Sequence, residues 1–330
     1  MNILVTGGAG YIGSHTVRAL QQTKDLKPIV FDNLSTGHEE AVPDSVQLIT
    51  GDIHDVPFLK HILADYEIDG VIHFAASSLV GESMQDPAKY YYNNVEGTLH
   101  LLIAKHEAGV DNIVFSSTAA VYGEPAKTPI EEDFPTVPTN VYGRTKLMIE
   151  TMMKDFTMAY DMKYVALRYF NAAGAALDGT IGEDHNPESH LIPLILKTAQ
   201  GVRDHISIFG TDYPTPDGTC LRDYIHVLDL AQAHILAMRH LLKGGESGAF
   251  NLGSEKGFSV REIIGMAKKV TGTDFTVTEE ARRAGDPAVL IASSEKIRKV
   301  LGWKPEHSST EEIIASAWKR HPGHPYGYAK

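Results

Sequence analysis

Sulfur chemistry has almost nothing to work with in this chain, which holds a single cysteine, Cys220, among 330 residues. No intrachain disulfide can form, so the composition suits a reducing compartment and a cytoplasmic protein, with Cys220 a plain buried thiol. Positive charge is scarce as well: 30 Lys and Arg face 42 Asp and Glu, a net charge of −12. Nucleic acid is held by clustered cations and is therefore not an expected partner; an anionic ligand must be gripped by a few local groups. Long apolar runs are missing too. No stretch reaches the roughly 18 residues of a membrane helix, and Asn2-Ile3-Leu4-Val5 opens the chain as a strand rather than as a basic and apolar leader. A membrane is likewise not an expected partner. What remains is 43% hydrophobic and 22% charged, the balance of a globular protein with a sizeable core. The length suits two domains, or one large α/β unit with a smaller lobe.

Short apolar runs alternate with amphipathic stretches. Ile3 to Val5, Pro28 to Phe31, Val46 to Ile49, Val71 to Phe74, Ile113 to Phe115 and Tyr164 to Leu167 are strand-sized, with helical candidates between them. Continuous Val/Ile-rich runs are what strands buried on both faces require, and their alternation with helices predicts an α/β fold of the Rossmann type, a doubly wound parallel sheet. After about Phe170 the text turns Gly-, Asn- and Pro-rich, as in Tyr213-Pro214-Thr215-Pro216-Asp217-Gly218, and a smaller C-terminal α/β lobe is expected. Residues 1–169 are read as the dinucleotide domain, with 227–252 returning to it. Residues 170–226 and 253–330 are read as the substrate lobe.

Gly7, Gly10 and Gly13 fall in Val5-Thr6-Gly7-Gly8-Ala9-Gly10-Tyr11-Ile12-Gly13, after the first strand and at the opening of a helix. Small residues there permit a tight turn, let backbone N–H groups approach a pyrophosphate, and allow close helix–strand packing. A plain tight turn would use the same residues, and it is the strand before and the helix after that favour a dinucleotide. Asp32 ends the second strand about twenty residues on, where a carboxylate accepts hydrogen bonds from the adenosine ribose. No Lys or Arg follows it in Asn33-Leu34-Ser35-Thr36, so a 2′-phosphate would be repelled and NAD is expected over NADP. Asp52 and Ile53 after the third strand are candidates for the adenine end, although an Asp there also suits a turn.

Tyr142-Gly143-Arg144-Thr145-Lys146 sets a phenol and an ammonium on one face of a helix, a turn apart. A tyrosine with a pKa near ~10 is a poor base at neutral pH; positive charge from Lys146 and an oxidised nicotinamide would bring it toward a useful range. The pattern alone is cheap, since Tyr326 and Lys330 repeat it by coincidence at the tail. Tyr142 differs in its upstream context: Phe115-Ser116-Ser117-Thr118 leaves a strand as a hydroxyl-rich turn, where a side chain can share the proton of a substrate alcohol.

Together these blocks resemble the extended short-chain dehydrogenase/reductase family, and within it the UDP-hexose 4-epimerases. The likeness runs nearly end to end. It adds His73-Phe74-Ala75-Ala76, Gly81-Glu82-Ser83, Asn93-Asn94-Val95, Arg168-Tyr169-Phe170-Asn171, Arg222-Asp223-Tyr224-Ile225-His226-Val227 and Arg283-Ala284-Gly285-Asp286. The resemblance implies interconversion of UDP-glucose and UDP-galactose through a 4-keto sugar, with hydride held transiently on NAD. It implies Tyr142 as acid/base, Lys146 on the nicotinamide ribose and Thr118 on the reacting oxygen. Phe74, Ala75, Ala76, Asn93 and Phe170, with Tyr11 and Ile12 of the glycine turn, would border the cofactor. Asn171, His190, Leu191, Phe209, Arg222, Arg283 and Asp286 would clasp the UDP-sugar, Arg being suited to a diphosphate by its two-pronged donor geometry. It also implies a homodimer through the helical stretches Pro87 to Gly109 and Tyr142 to Tyr160.

The sequence departs from the family pattern at Thr118, where serine is usual, at Ser78, where several members carry a cofactor-contacting lysine, and at His190, where asparagine often touches substrate. Thr keeps the hydroxyl; losing the cation at Ser78 should loosen NAD. Leu290 lies near a position thought to decide whether an N-acetylated sugar fits, so UDP-N-acetylglucosamine or another UDP-sugar remains an alternative. A 4,6-dehydratase is disfavoured because Ala119-Ala120 stands where an Asp-Glu pair would eliminate water. A non-catalytic NAD-binding module would be expected to lack Tyr142. No metal site is expected: His321 and His324 sit among prolines without a third ligand, and His15 is read as structural or supporting.

Overall fold

The strand-sized runs assemble into one parallel sheet because their side chains need cover on both faces. The computed structural model describes residues 1–283, 286–320 and 327–328. In it β1 (Asn2–Thr6), β2 (Lys27–Asp32), β3 (Gln47–Thr50), β4 (Ile68–His73), β5 (Asn112–Ser116) and β6 (Lys163–Arg168) are joined by a seventh strand, Gly248–Asn251. Across the sheet the order is Gly248–Asn251, β6, β5, β4, β1, β2, β3, and every pairing is parallel. Alternate residues serve opposite layers. Ile3 and Val5 pack with Val17, Leu20, Leu230 and Met238 of the helices Tyr11–Gln21 and Val227–Leu242. Leu4 and Val71 pack with Leu59, Leu101 and Ile149 of the helices Val56–Asp65, Gly97–Glu107 and Val141–Tyr160.

The run Val46 to Ile49 shifts by one residue to Gln47–Thr50, and this edge strand is only half-buried, so cover on both faces is not required of it. Gly248–Asn251 has too short an apolar run to be read as a strand; pairing with β6, from Gly248 opposite Val165 to Asn251 opposite Arg168, makes it one. From β1 the chain moves outward to β2 and β3, then crosses back to β4, β5 and β6. The carboxyl ends of β1 and β4 therefore frame the crevice where doubly wound sheets take their ligands.

A second cluster forms the smaller lobe, with Ile192, Ile195, Ile208, Ile263 and Ile313 on the helices Leu191–Ala199, Val260–Thr271 and Thr310–Arg320 and the strand Ile206–Phe209. The short strand Asn171–Ala173 pairs in parallel with Tyr224–His226 and links lobe to sheet. Among the described residues, no helix is long and apolar enough to cross a membrane.

A buried ion pair pins the helix Val141–Tyr160 to the sheet. Glu150 Oε2 lies 2.5 Å from Arg168 Nη2 and Glu150 Oε1 lies 3.0 Å from Arg168 Nε, with both side chains 8% exposed. Arg168 also donates to the Tyr122 hydroxyl at 2.7 Å; that hydroxyl donates to Asn251 Oδ1 at 2.8 Å, and Asn251 Nδ2 donates to the Ile130 carbonyl. Removing one partner of such a pair leaves the other charged and dry. Glu150→Gln should therefore lower unfolding stability by about 3–5 kcal/mol in a urea titration. Glu107→Gln, which breaks the solvent-exposed pair with Lys60, should leave the urea midpoint in place.

Candidate active site

Steric limits shape the turn after β1. Gly7 has φ +73°, and a Cβ there would lie 2.6 Å from the Ala75 nitrogen; a Cβ on Gly13 would lie 2.2 Å from the Gly7 carbonyl oxygen. Both positions demand glycine because of the protein's own backbone. Gly10 differs: the nearest atom to an added Cβ is the Gly7 oxygen at 3.3 Å, so what glycine keeps open there is the outward approach to the turn. The helix Tyr11–Gln21 starts at Gly10 without a side-chain cap. Its first N–H groups, on Tyr11, Ile12 and Gly13, carry the positive end of the helix dipole toward that opening. These features fit a pyrophosphate.

Phe74 and Ala75 continue β4 beside the turn, their N–H groups donating to the Thr6 carbonyl at 2.8 and 3.1 Å, and Ala76 follows half-buried. Asp32 accepts from the Ala9 N–H at 2.9 Å and from the Leu34 N–H at 2.8 Å, tying the glycine turn to the end of β2. Burial raises its pKa, against the lowering effect of those two bonds. Asp52 stands next to it in space, linked through Asn33 Nδ2 at 3.2 Å and bonded to the His54 N–H at 2.9 Å and ring at 2.6 Å. Ile53 turns inward and is buried. Asp32, Asn33, Asp52 and Ile53 thus share one side of the turn.

Asn93 lies within Tyr91–Glu96, a π-helical turn inside a longer helical run. Such widenings recur at functional sites because they re-aim side chains. Here Asn93 Nδ2 donates to Ser77 Oγ at 3.2 Å, while buried Asn94 bonds to Ser77 and to Thr145 Oγ1. Ser78, the position where a cation was missed, is exposed.

The helix Val141–Tyr160 begins at Asn140, whose side chain caps the Gly143 N–H at 2.8 Å; Ser83 Oγ accepts the Tyr142 N–H at 3.1 Å. Lys146 is 3% exposed. Its ammonium donates to the Ser116 carbonyl at 2.9 Å and lies 5.8 Å from the centre of the Tyr142 ring. Thr118, the cap of the short turn Ala119–Tyr122, stands beside the Tyr142 hydroxyl and acts to lower its pKa. Tyr142, Lys146 and Thr118 are therefore brought together at the carboxyl end of β5. The electrostatics depart from expectation. Burial pushes the Tyr142 phenol up to about 12, with Thr118 pulling the other way. Burial also pushes Lys146 down to about 7, against the attraction of Glu150. The protein's own groups hold the phenol protonated, because desolvation outweighs the help that Lys146 was expected to give.

Glu150 itself was not singled out from the sequence. Its spacing was the available signal: it continues the i, i+4 series of Tyr142 and Lys146 on one helix face, and it also accepts from Ser117 Oγ at 2.5 Å. Ser83 and Asn94 were quoted only as motif letters, and they prove to be the supports of Tyr142 and Thr145. His15 is buried with its Nδ1 2.7 Å from the Tyr11 carbonyl, a place for a structural residue.

On the lobe side, Phe170 packs against Ala119, Val121 and Ile130, and Ala119 N–H donates to the Tyr169 carbonyl at 2.9 Å, so the Thr118 turn adjoins Phe170 and Asn171. Asn171 Nδ2 donates to the Asp223 carbonyl at 3.0 Å. Its neighbour Arg222 is paired with Asp286. The Arg283 guanidinium stacks 3.9 Å from the centre of the Phe209 ring. Leu290 sits directly opposite Arg222 between paired strands. His190 Nδ1 lies 2.8 Å from Glu183 and 3.1 Å from Glu188. Burial works against its charge, but those carboxylates win and hold it up at about 10. Leu191 follows it half-buried at the start of a lobe helix. Cys220 is buried beside Asp286. Ala284, Gly285, Tyr326, Lys330 and the His321 to Pro325 run lie outside the described residues.

This geometry has close counterparts. A UDP-glucose 4-epimerase of Halalkalibacterium halodurans is 56% identical over 329 residues, covering 100% of this chain and 98% of its own. A crystal structure of a UDP-glucose 4-epimerase superposes with a TM-score of 0.97 at 50% identity, covering 100% of both chains. The Brucella ovis UDP-glucose 4-epimerase, solved in complex with NAD, gives 0.93 at 48% identity over 96% of this chain and 98% of that one. The model of the NAD dependent epimerase/dehydratase family matches residues 3–253. With that match taking in the sheet, the glycine turn and the Tyr142 helix, the chain belongs to the NAD dependent epimerase/dehydratase family.

Proposed function

We propose that this chain is an NAD-dependent 4-epimerase that interconverts UDP-glucose and UDP-galactose through a 4-keto sugar. The observation that carries the reading is the convergence of Tyr142, Thr118 and Lys146 beside the glycine turn, in a chain whose full-length relatives bear that activity in their names. Tyr142 accepts the proton of the sugar 4-hydroxyl as C4 is oxidised and gives it back when C4 is reduced on its other face. Bound NAD would supply a reversible hydride acceptor for C4, so that no net oxidation occurs. Its oxidised ring also brings the positive charge that a phenol pushed up to about 12 needs to act as a base. Gly7, Gly10, Gly13, Tyr11 and Ile12 frame the pyrophosphate site, with Asn93 alongside. Asp32, Asn33, Asp52 and Ile53 take the adenosine end, and Phe74, Ala75, Ala76 and Phe170 border the cofactor.

Lys146 holds the nicotinamide ribose, and Thr118 shares the proton of the reacting oxygen. Asn171, Leu191, Phe209, Arg222, Arg283 and Asp286 grip the UDP end, with His190 at the rim. That remote grip leaves the hexose free to turn its faces. Residues 1–169 and 227–252 form the cofactor domain in this reading, and 170–226 with 253–330 the substrate lobe. A second reading extends the substrate to UDP-N-acetylglucosamine, with medium-sized Leu290 opposite Arg222 as the side chain that an N-acetyl group would meet. We also read the helices Pro87–Tyr90, Gly97–Glu107 and Val141–Tyr160 as a homodimer face, since Tyr92, Met148, Met158 and Tyr160 are exposed apolar residues on or between them.

Purified protein given UDP-galactose should yield UDP-glucose without consuming added NAD, and Tyr142→Phe should lower kcat by roughly 10²–10⁴-fold; NAD retained without turnover would instead point to a different sugar. Thr118→Val should cost roughly 10–100-fold in kcat, the worth of one hydrogen bond to a charged group, with Thr118→Ser restoring it. Light scattering on the eluted protein should give twice the chain mass, falling to the monomer when Met148 and Tyr160 are both changed to Glu.

A further inference from the structure

Outside the reacting groups, four metal-ligating side chains converge on one point. Glu183, His185, Glu188 and His190 each offer one ligand atom, and these atoms lie within 4.8 Å of one another. His190 Nδ1 is 2.8 Å from Glu183 Oε1 and 3.1 Å from Glu188 Oε1. His185 Nδ1 is 3.2 Å from Glu183 Oε1 and 3.9 Å from Glu188 Oε2. A tetrahedral ion with metal–ligand bonds of about 2.0–2.2 Å holds neighbouring ligand atoms roughly 3.3–3.6 Å apart. These separations straddle that range, and one ligand atom from each of the four residues lies within 4.8 Å of the others, so side-chain shifts of about 1 Å bring the set to coordination distance.

The surroundings favour an ion over a chance meeting of charges. The Glu183 and Glu188 side chains are 8% and 4% exposed. Two dry carboxylates and two imidazoles thus bring oxygen and nitrogen donors to one point. Both imidazoles turn Nδ1 toward this same pair, and at 25% and 41% exposure they leave a way in from solvent. Glu183 and Glu188 also line a cavity of about 30 Å³, room for one water as a further ligand. Two nitrogens with two carboxylate oxygens make a mixed set that suits zinc and its neighbours better than calcium or magnesium, which prefer all-oxygen shells. From the sequence no metal site is expected, and the folded chain is what gathers these four side chains.

We infer that Glu183, His185, Glu188 and His190 bind one divalent transition-metal ion of the zinc class. The ion is structural. All four ligands lie within residues 183–190, just ahead of the helix Leu191–Ala199. The edge of the Tyr11 ring meets His185 with ring centres 6.2 Å apart, and the Tyr11 hydroxyl donates to the Gly174 carbonyl at 2.6 Å. An ion here fastens the lobe segment against the helix that opens the phosphate-binding turn.

The test is zinc content after chelator treatment and dialysis into a low-micromolar zinc buffer, together with the thermal unfolding midpoint with and without zinc. Wild type should retain about one zinc per chain and melt higher with the metal. His185→Ala and Glu183→Gln should each bind zinc at least roughly tenfold more weakly, a loss that even outer-shell changes produce, and should lose the zinc-dependent rise in midpoint. His185→Ala, the more exposed position, decides the matter if Glu183→Gln fails to fold. Cobalt in place of zinc should give the intense visible bands of a tetrahedral site. Wild type that retains no zinc, or a folded variant that binds it like wild type, overturns the inference.

Discussion

The buried pair between Glu150 and Arg168 is the constraint on which the rest of the site depends. A charged pair in a dry interior is costly unless its geometry and hydrogen bonds are satisfied, and here Ser117, Tyr122 and Asn251 complete the set. The network joins the helix Val141–Tyr160 to β5, β6 and the strand Gly248–Asn251. One turn up the same helix, Lys146 reaches the Ser116 carbonyl, and one turn further Tyr142 meets Thr118. Position along a single helix face thus converts a stabilising anchor into a placed phenol.

Desolvation sets the chemistry of that phenol. The burial that fixes Tyr142 and Lys146 disfavours the charge on each, pushing the first up to about 12 and the second down to about 7. The positive ring of a bound oxidised nicotinamide would offset that burial and favour the phenolate. This economy would suit a reaction in which a hydride leaves and returns at one carbon and a proton at the oxygen it carries. The glycine turn brings that cofactor into range: it packs directly on the backbone of Phe74 and Ala75 at the carboxyl ends of β1 and β4, with no room for a side chain at Gly7 or Gly13.

The lobe contributes charge where the overall balance of −12 offers none. Arg222 and Arg283 are each held in place, the first by Asp286 and the second by the face of Phe209. Pre-positioned guanidinium groups lose less freedom on meeting a diphosphate than solvated ones would. His190 is held within the lobe by carboxylates. It faces Glu183 and Glu188, and its ring belongs electrostatically to them.

Local pattern determined a great deal of this protein. The apolar runs of β1, β2, β4, β5 and β6 read directly as buried strands because both faces of a parallel sheet demand it. The glycine spacing, Asp32 and the Tyr142–Lys146 pair were equally legible, since a turn and a helix face are set by residues a few positions apart. What the tertiary structure decided lies beyond local pattern. Gly248–Asn251 became a strand only by pairing with β6, Glu150 became an anchor only by meeting Arg168, and residues 183–190 became a cluster only by folding on themselves beside Tyr11. The direction of the Tyr142 and Lys146 shifts also waited on the fold, because burial is a property of what surrounds a side chain in space and not of its neighbours in sequence.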